Sequence, residues 1–382
     1  MTETTIETIT DAGAFAALAP EWDGLVRAMP RPSPFLLHPW LLAWWHEHGD
    51  RTGLRVHVAR RDGRLEAALP LYMRRRGGLR VLRFIGGDAS ALADLLVADG
   101  TPPAVGEQLV ARATRDGGDF ADLFGLPAHS RLAAAAHTGL TLVPRVEAPV
   151  VDLDPGWAEV YRERTSAKRR SLHRRRRRQL AGLGALSIEV AGTLGELEPA
   201  LEAAFVLHEA RWRDRPEASG FATPAGRSFH RAALRALAPL GVARILLVRV
   251  DGRPVACNYY FVLCERMYFH ELAFDPEFAR FSPGQVATLD ALESAAAEGV
   301  RRVEFLGGAE RYKLELADRF DPLCQGIGLA RGPLARGAVE ARLAYIRLRL
   351  RLKRNQGLRR LYVDGMAPVR RLASLSRAAP RT

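Results

Sequence analysis

Cysteine is scarce in this chain: Cys257, Cys264 and Cys324 are the only three among 382 residues. They form no metal-like pair and leave one over, which points to a reducing, cytoplasmic setting. No apolar run approaches the ~18–20 residues that a membrane-spanning helix needs. The first ten residues are acidic and polar, without the basic-then-apolar order of a secretory signal. Gly-x-x-x-x-Gly-Lys is missing, which excludes a P-loop NTPase. So is Gly-x-Ser-x-Gly, the elbow of a serine hydrolase. No two histidines sit at metal-helix spacing beside an acid. His46 and His48 are two apart at the end of a helical stretch, so no metal is expected.

What is present is ordinary globular material in unusual places. Apolar residues make up 48% and charged residues 26%, which excludes disorder. The length exceeds the ~250–300 residues at which one core usually splits, so two domains are expected. The formal charge of +13 is local. Lys168 to Arg178 holds eight cations and no acid, and residues 336–382 carry a net +11, so the remainder is about −6. Local basic segments suit an anionic surface or RNA; they also arise as solvated helix faces.

The order of elements reads as α/β twice over. In the first half, Phe35 to His48 is an aromatic helix behind Pro30, Pro32 and Pro34. Leu54 to Arg60 and Arg64 to Tyr72 are strands joined by an Asp62-Gly63 turn. Leu79 to Ile85 is a third strand ending at Gly86-Gly87, followed by a helix over Ala104 to Arg115 and a strand over Phe120 to Phe124. Thr141 to Val151 reads as one further strand. The second half repeats this grammar: a helix over Leu194 to Trp212, another over Phe229 to Leu237, then Ala243 to Val250, Asp251-Gly252 and Pro254 to Cys264 as a second hairpin. The seam falls near 150–165. The expected units are residues 1–155, residues 156–335 and a basic tail over 336–382. The tail's composition reads as helix, while Ile346 to Arg354 also alternates with the period of a strand.

The candidate chemistry lies late in the chain. Met267 to Phe274 is a strand, Ser282-Pro283-Gly284-Gln285 opens a helix, and Val303 to Leu306 is a short apolar strand of parallel type. A strand, a Gly-marked helix start and a parallel strand offer free backbone N–H groups to a phosphate. Proline suits the first turn, and Gly284 allows close approach. Ser282 can cap the helix. Glu304 breaks the apolar pattern near the carboxyl end of an inner strand, where ligands of α/β sheets bind. Gly307-Gly308 turns the chain tightly towards Tyr312, a candidate proton donor, and Lys313, a candidate phosphate contact. Alternation sends His270 and Glu271 to opposite faces of their strand. His208 and Arg211 share a helix face, with Trp212 at its edge.

Together these segments resemble the GNAT acyltransferase superfamily, in particular its cellulose-biosynthesis-type (CelD-like) acetyltransferase branch, related to the Fem-type tandem-GNAT transferases. The motifs that carry the resemblance begin with Phe35-Leu-Leu-His-Pro-Trp-Leu-Leu-Ala-Trp-Trp45, Leu69-Pro-Leu71, Ser166-Ala-Lys-Arg169 and His208-Glu-Ala-Arg-Trp212. Ala273-Phe-Asp-Pro276, Ser282-Pro-Gly284, Phe305-Leu-Gly-Gly308 and Tyr312-Lys313 complete them, so the resemblance spans Phe35 to Leu329. It implies an α/β (α+β) fold of two tandem GNAT-like halves, each a mixed twisted sheet flanked by helices, with a basic helical tail. It further implies N-acyl transfer from acetyl-CoA or another acyl-CoA to a small-molecule or glycan amine, with an amino sugar of polysaccharide biosynthesis as the family-level acceptor.

The residue roles implied are Glu304 or Glu271 as base and Tyr312 as acid. Phe274, Ser282, Gly284, Gln285 and Lys313 would meet the cofactor, while His208, Arg211, Trp212 and His270 would meet the acceptor. A backbone N–H over Leu272 to Phe274 would polarise the carbonyl. Arg280-Phe-Ser-Pro-Gly284 keeps one glycine of the usual phosphate loop. Two other readings therefore stand beside this one: a Fem-like aminoacyl-tRNA-dependent transferase, and a non-catalytic protein that binds polyanions or membrane surfaces through its basic segments.

Overall fold

The computed structural model describes residues 4–49, 53–98, 100–154, 156–213, 220–307 and 310–354. Gly308 and the tail beyond Arg354 lie outside the described residues. The first sheet contains β1 (Thr4–Ile9), β2 (Gly53–Arg61), β3 (Arg64–Arg76), β4 (Leu79–Phe84), β5 (Leu96–Val97), β6 (Phe120–Pro127) and β7 (Leu140–Val146). The second contains β8 (Pro149–Asp152), β9 (Leu186–Ala191), β10 (Ala243–Val250), β11 (Arg253–Leu263), β12 (Arg266–Phe274), β13 (Arg302–Glu304) and β14 (Arg319–Phe320). A last strand, β15 (Leu323–Gly328), returns to the first sheet between β6 and β7.

The repeat shows in the backbone. The β2–β3 hairpin turns at Asp62-Gly63 and the β10–β11 hairpin at Asp251-Gly252, with positive φ at all four residues. Such turns match the right-handed twist of paired strands. Each half then makes one parallel pairing, β4 with β6 and β12 with β13. The halves also trade strands. β8, just before the expected seam, inserts between β13 and β14, and β15, from far along the chain, completes the first sheet. The single strand expected over Thr141 to Val151 is thus two strands in two sheets, broken after Val146.

The helices are α1 (Ala12–Ala16), α2 (Ala19–Arg27), α3 (His38–His48), α4 (Pro103–Arg115), α5 (Arg131–Ala135) and α6 (Trp157–Arg164). They continue with α7 (Ala167–Ala181), α8 (Leu194–Trp212), α9 (Pro224–Leu237), α10 (Pro283–Ala297), α11 (Arg311–Leu316) and α12 (Gly332–Arg354). The aromatic stretch near residue 35 splits into a 3-10 turn, Pro34–Leu36, and α3. Pro39 at the first turn fixes the start of α3. α12 is helical throughout, so the strand alternative for Ile346 to Arg354 is set aside. Val339, Leu343 and Ile346 of α12 pack on Val81, Phe120, Val143 and Ile327 of the first sheet. None of the helices among the described residues is long and apolar enough to cross a membrane.

The halves meet through aromatics. Phe35 and Trp40 of the first half pack edge-on against Phe261 of β11, at 5.6 Å in both cases, and Trp40 packs against Phe229 of α9 at 4.8 Å. The Tyr268 hydroxyl donates to the Pro32 carbonyl. The interface is therefore core-like and fixes the relative position of the two sheets.

Candidate active site

β12 and β13 pair only over Arg266–Tyr268 and Arg302–Glu304. Beyond that the strands part. Among the described residues the edge of β12 facing the gap has no strand partner beyond Tyr268, and the Leu272 carbonyl is taken by Arg211. A cavity of about 900 Å³ occupies the gap and extends to the first half. Glu271, Phe274, Gly284, Tyr312 and His270 are on its walls. In the first half the corresponding opening between β4 and β6 is filled by its own chain: Ala93 N–H donates to the Gly125 carbonyl at 3.0 Å, and β5 pairs with β3.

A β-bulge shapes the β12 wall of the cavity. Tyr259 opposes Glu271 while Tyr260 opposes Phe269, so His270 is the extra residue of β12. A bulge breaks the two-residue alternation. It corrects the expectation of opposite faces, because His270 and Glu271 both line the cavity. His270 sits among Phe35, Trp40, Tyr259 and Phe261, with ring centroids at 5.1–5.7 Å. Burial lowers its pKa to about 4, so the ring is neutral at physiological pH. Burial pushes the Glu271 carboxyl up to about 7, against the lowering effect of Arg211 and Lys313. A carboxyl poised there exchanges protons readily at neutral pH. His208 Nε2 stands 3.9 Å from a Glu271 oxygen, and burial leaves His208 neutral with its pKa lowered to about 4.

The cofactor-side residues divide. Ser282 holds left-handed backbone, φ 54 and ψ 52, and its side chain does not cap α10. Its N–H donates to the Ala279 carbonyl at 3.0 Å, and Gln285 N–H to the Ser282 carbonyl at 3.0 Å. Pro283 has no N–H. The first-turn donor left without a partner among the described residues is therefore Gly284, at the positive end of the helix. A Cβ on Gly284 would lie 3.1 Å from Phe274 Cδ1, so the close approach depends on glycine. Gln285 is committed elsewhere: it bonds His173 Nε2 at 2.8 Å and accepts from Arg176. Through these bonds, and the Arg177–Asp290 pair, the basic helix α7 lies against the start of α10.

The remaining predicted residues are placed as follows. Tyr312 lines the cavity; its buried hydroxyl has no hydrogen-bond partner among the described residues, and burial raises its pKa. Lys313 is buried, donates to the Gly307 carbonyl at 2.5 Å and pairs with Glu310 at 2.9 Å, so it braces the exit from β13. Arg211 donates to the Leu272 carbonyl and stacks on Trp212 and Phe274 at 5.0 and 4.7 Å. The Trp212 indole N–H is buried on the cavity wall without a partner among the described residues. His208 touches the site through Glu271, from behind the cavity wall.

Glu304 stands apart from the group it was expected to join. It is 1% exposed, off the cavity wall, and held between Arg31 at 2.7 Å and Arg266 at 3.3 Å. Since Arg31 comes from the first half, this carboxylate joins the two halves. Other cavity residues were given no site role in the sequence reading: Trp44, Tyr72, Arg74 and Arg83 from the first half, and His230 from α9. Trp44 stands in the Phe35–Trp45 motif, and the others are dispersed along the chain and form no motif.

Comparison with known proteins places this geometry. Residues 167–314 match the model of the acetyltransferase (GNAT) domain family. The fold is similar to the crystal structure of FemX, with a TM-score of 0.59 and 12% identity over 84% of this chain and 96% of that one. It is also similar to the C-terminal domain of a putative lysylphosphatidylglycerol synthetase from Agrobacterium fabrum, with a TM-score of 0.55 and 14% identity over 86% and 95%. L-PGS from Bacillus licheniformis gives 0.52 and 14% over 81% and 95%. At such identities the likeness is one of fold. No curated protein matches the chain. The match to an acetyltransferase domain of GNAT type thus covers residues 167–314, the segment that contains β12, α10, β13 and the cavity wall they form.

Proposed function

We propose that the chain moves an acyl group, acetyl first among candidates, from acyl-CoA to an amine held in the cavity. One observation carries this reading: the gap between β12 and β13 brings an open strand edge, the unpartnered Gly284 N–H, Glu271 and Tyr312 onto one cavity. The cradle fits a pyrophosphate, since Gly284 presents a helix-terminal donor where no side chain intervenes, with the cations of α7 beside it. Phe274 and Gly284 would flank the cofactor. The open edge of β12 over Leu272 to Phe274 would donate to the thioester carbonyl.

In this reading the amine nitrogen attacks the thioester carbon, the C–S bond breaks, and an amide forms. Glu271 takes the proton from the amine. Tyr312, kept protonated by burial, gives a proton to the departing sulfur. Holding both reactants in one cavity supplies much of the acceleration. Residues 156–335 would form the catalytic half, residues 1–155 the half that closes the acceptor side, and residues 336–382 a basic tail. An amino sugar of polysaccharide biosynthesis remains the proposed acceptor, and the cytoplasm the proposed setting.

Thermal unfolding with acyl-CoAs of increasing chain length tests the reading. Acetyl-CoA or a longer acyl-CoA raises the Tm of the wild type, and Gly284→Glu, which places a carboxylate against Phe274, abolishes that rise. No rise with any acyl-CoA removes the proposal. A second reading, transfer from an aminoacyl-tRNA, draws on Lys168, Arg174, Arg175 and Arg178, which α7 leaves exposed beside the start of α10. Salt-dependent tRNA binding that is lost in R174A/R175A/R178A, with no response to acyl-CoA, selects it instead.

A further inference from the structure

The wall that the first half gives to the cavity has a chemistry of its own. In the β3–β4 register Tyr72 opposes Arg83, and Arg74 opposes Val81. Residues two apart on a strand share a face, and so do directly opposed residues. Tyr72, Arg74 and Arg83 therefore lie together on one face, with the two arginines as diagonal neighbours, and all three line the cavity. Both guanidiniums oppose the upward push that burial gives the Tyr72 pKa, which places them near its hydroxyl.

These cations are weakly compensated. Arg83 reaches Asp88 at 3.4 Å, but Asp88 is 91% exposed, so the pair is a solvent-screened one of little strength. Arg74 has no acidic partner among the described residues. Lys313 is matched by Glu310. Arg74 and Arg211 then stand against Glu271 alone among the charged cavity residues. Aromatic surface adjoins the arginines: Trp44 stacks on His48 at 5.0 Å with ring planes 14° apart, and Trp44 meets Tyr72 at 5.1 Å. Gly87, with φ 50, leaves room for Trp44, whose ring a Cβ there would meet at 3.0 Å. Deeper in the cavity His230 is buried and neutral, with Nδ1 unpartnered among the described residues. A purely cationic amine would meet repulsion on this wall. An amine that also bears a negative group would be attracted to it.

We propose that this wall is the acceptor subsite, and that Arg74 and Arg83 bind a phosphate or carboxylate group carried by the amine acceptor. The proposal rests on the acyl-transfer reading for its role, but its binding chemistry can be measured separately. Isothermal titration of the full chain with matched pairs provides the test: glucosamine against glucosamine 6-phosphate, ethanolamine against phosphoethanolamine, and alaninamide against alanine. At least one member that carries the phosphate or carboxylate binds ten-fold or more tightly than its counterpart without it. The phosphate and carboxylate pairs reveal which anion is preferred. R74A/R83A brings the ratio to near one, R74K/R83K keeps part of it, and both retain the acyl-CoA-induced rise in Tm. Equal binding within all three pairs, or a preference that survives R74A/R83A, overturns the subsite. Loss of the acyl-CoA response alone would overturn the enzymatic reading and leave the anion site standing.

Discussion

Glu271 and Glu304 are both carboxylates at strand positions in the same sheet, yet their surroundings give them opposite tasks. Glu304 lies between two guanidiniums and links Arg31 to Arg266. Glu271 is buried on the cavity side with Arg211 and Lys313 only as weaker counterweights, and titrates at about 7. With Glu271 as the proposed base, the rate of transfer should therefore rise with pH through about 7 as its carboxyl loses its proton. Glu271→Gln should lower kcat by about 10²–10⁴-fold, the usual span for a lost general base, and should flatten that acid limb. Steady-state pH profiles of both proteins check this. An acid limb that persists in the variant would assign it to another group.

At the scale of elements, the short pairing of β12 with β13 decides most of the site. Three residues of parallel ladder hold the strands together, and everything beyond becomes cleft. Glu304 closes that ladder and ties it to the first half. Glu304→Ala leaves Arg31 and Arg266 without their shared anion and should destabilise the fold by about 3 kcal/mol, the lower end for breaking a buried ion pair. Urea unfolding measures this. The acyl-CoA-induced rise in Tm should persist in the variant. A large loss of kcat at unchanged stability would instead return Glu304 to the role of base. The bulge at His270 is the other decision made at this scale, because it turns two adjacent side chains towards one cavity.

For the whole molecule, exchange of β8 and β15 between the sheets makes the halves depend on each other. The aromatic interface and the Arg31–Glu304 link add to that dependence. Several histidines are buried neutral within this body. His57 is 0% exposed, and burial lowers its pKa to about 4. A lowered histidine pKa gives stability that is present above the unfolded value, near 6.5, and is lost as pH falls towards the folded one. A shift from 6.5 to about 4 corresponds to roughly 3 kcal/mol for such a group. The Tm should therefore fall steadily between pH 7 and 4, and His57→Gln should flatten part of the slope. Calorimetry across that range checks it; a slope unchanged in the variant assigns the effect to other groups.

The local devices were legible in the sequence. Asp62-Gly63 and Asp251-Gly252 announced their hairpins because only turns tolerant of positive φ join twisted strands so tightly. Ser282-Pro283-Gly284 announced a helix start because proline and glycine act through their own backbones. Glu271, Tyr312 and Gly284 could be nominated, since each lies in or beside such a device. The sequence could not say that Glu304 faces Arg31, because that partner is 273 residues away. Nor could it show that Ser282 spends its N–H on Ala279, or that a bulge turns His270 towards the cavity. Arg74 and Arg83 meet Glu271 across one cavity only after the two halves dock. Backbone propensity acts over a few residues and is written locally, whereas burial and charge pairing arise between distant segments and exist only once the chain has packed.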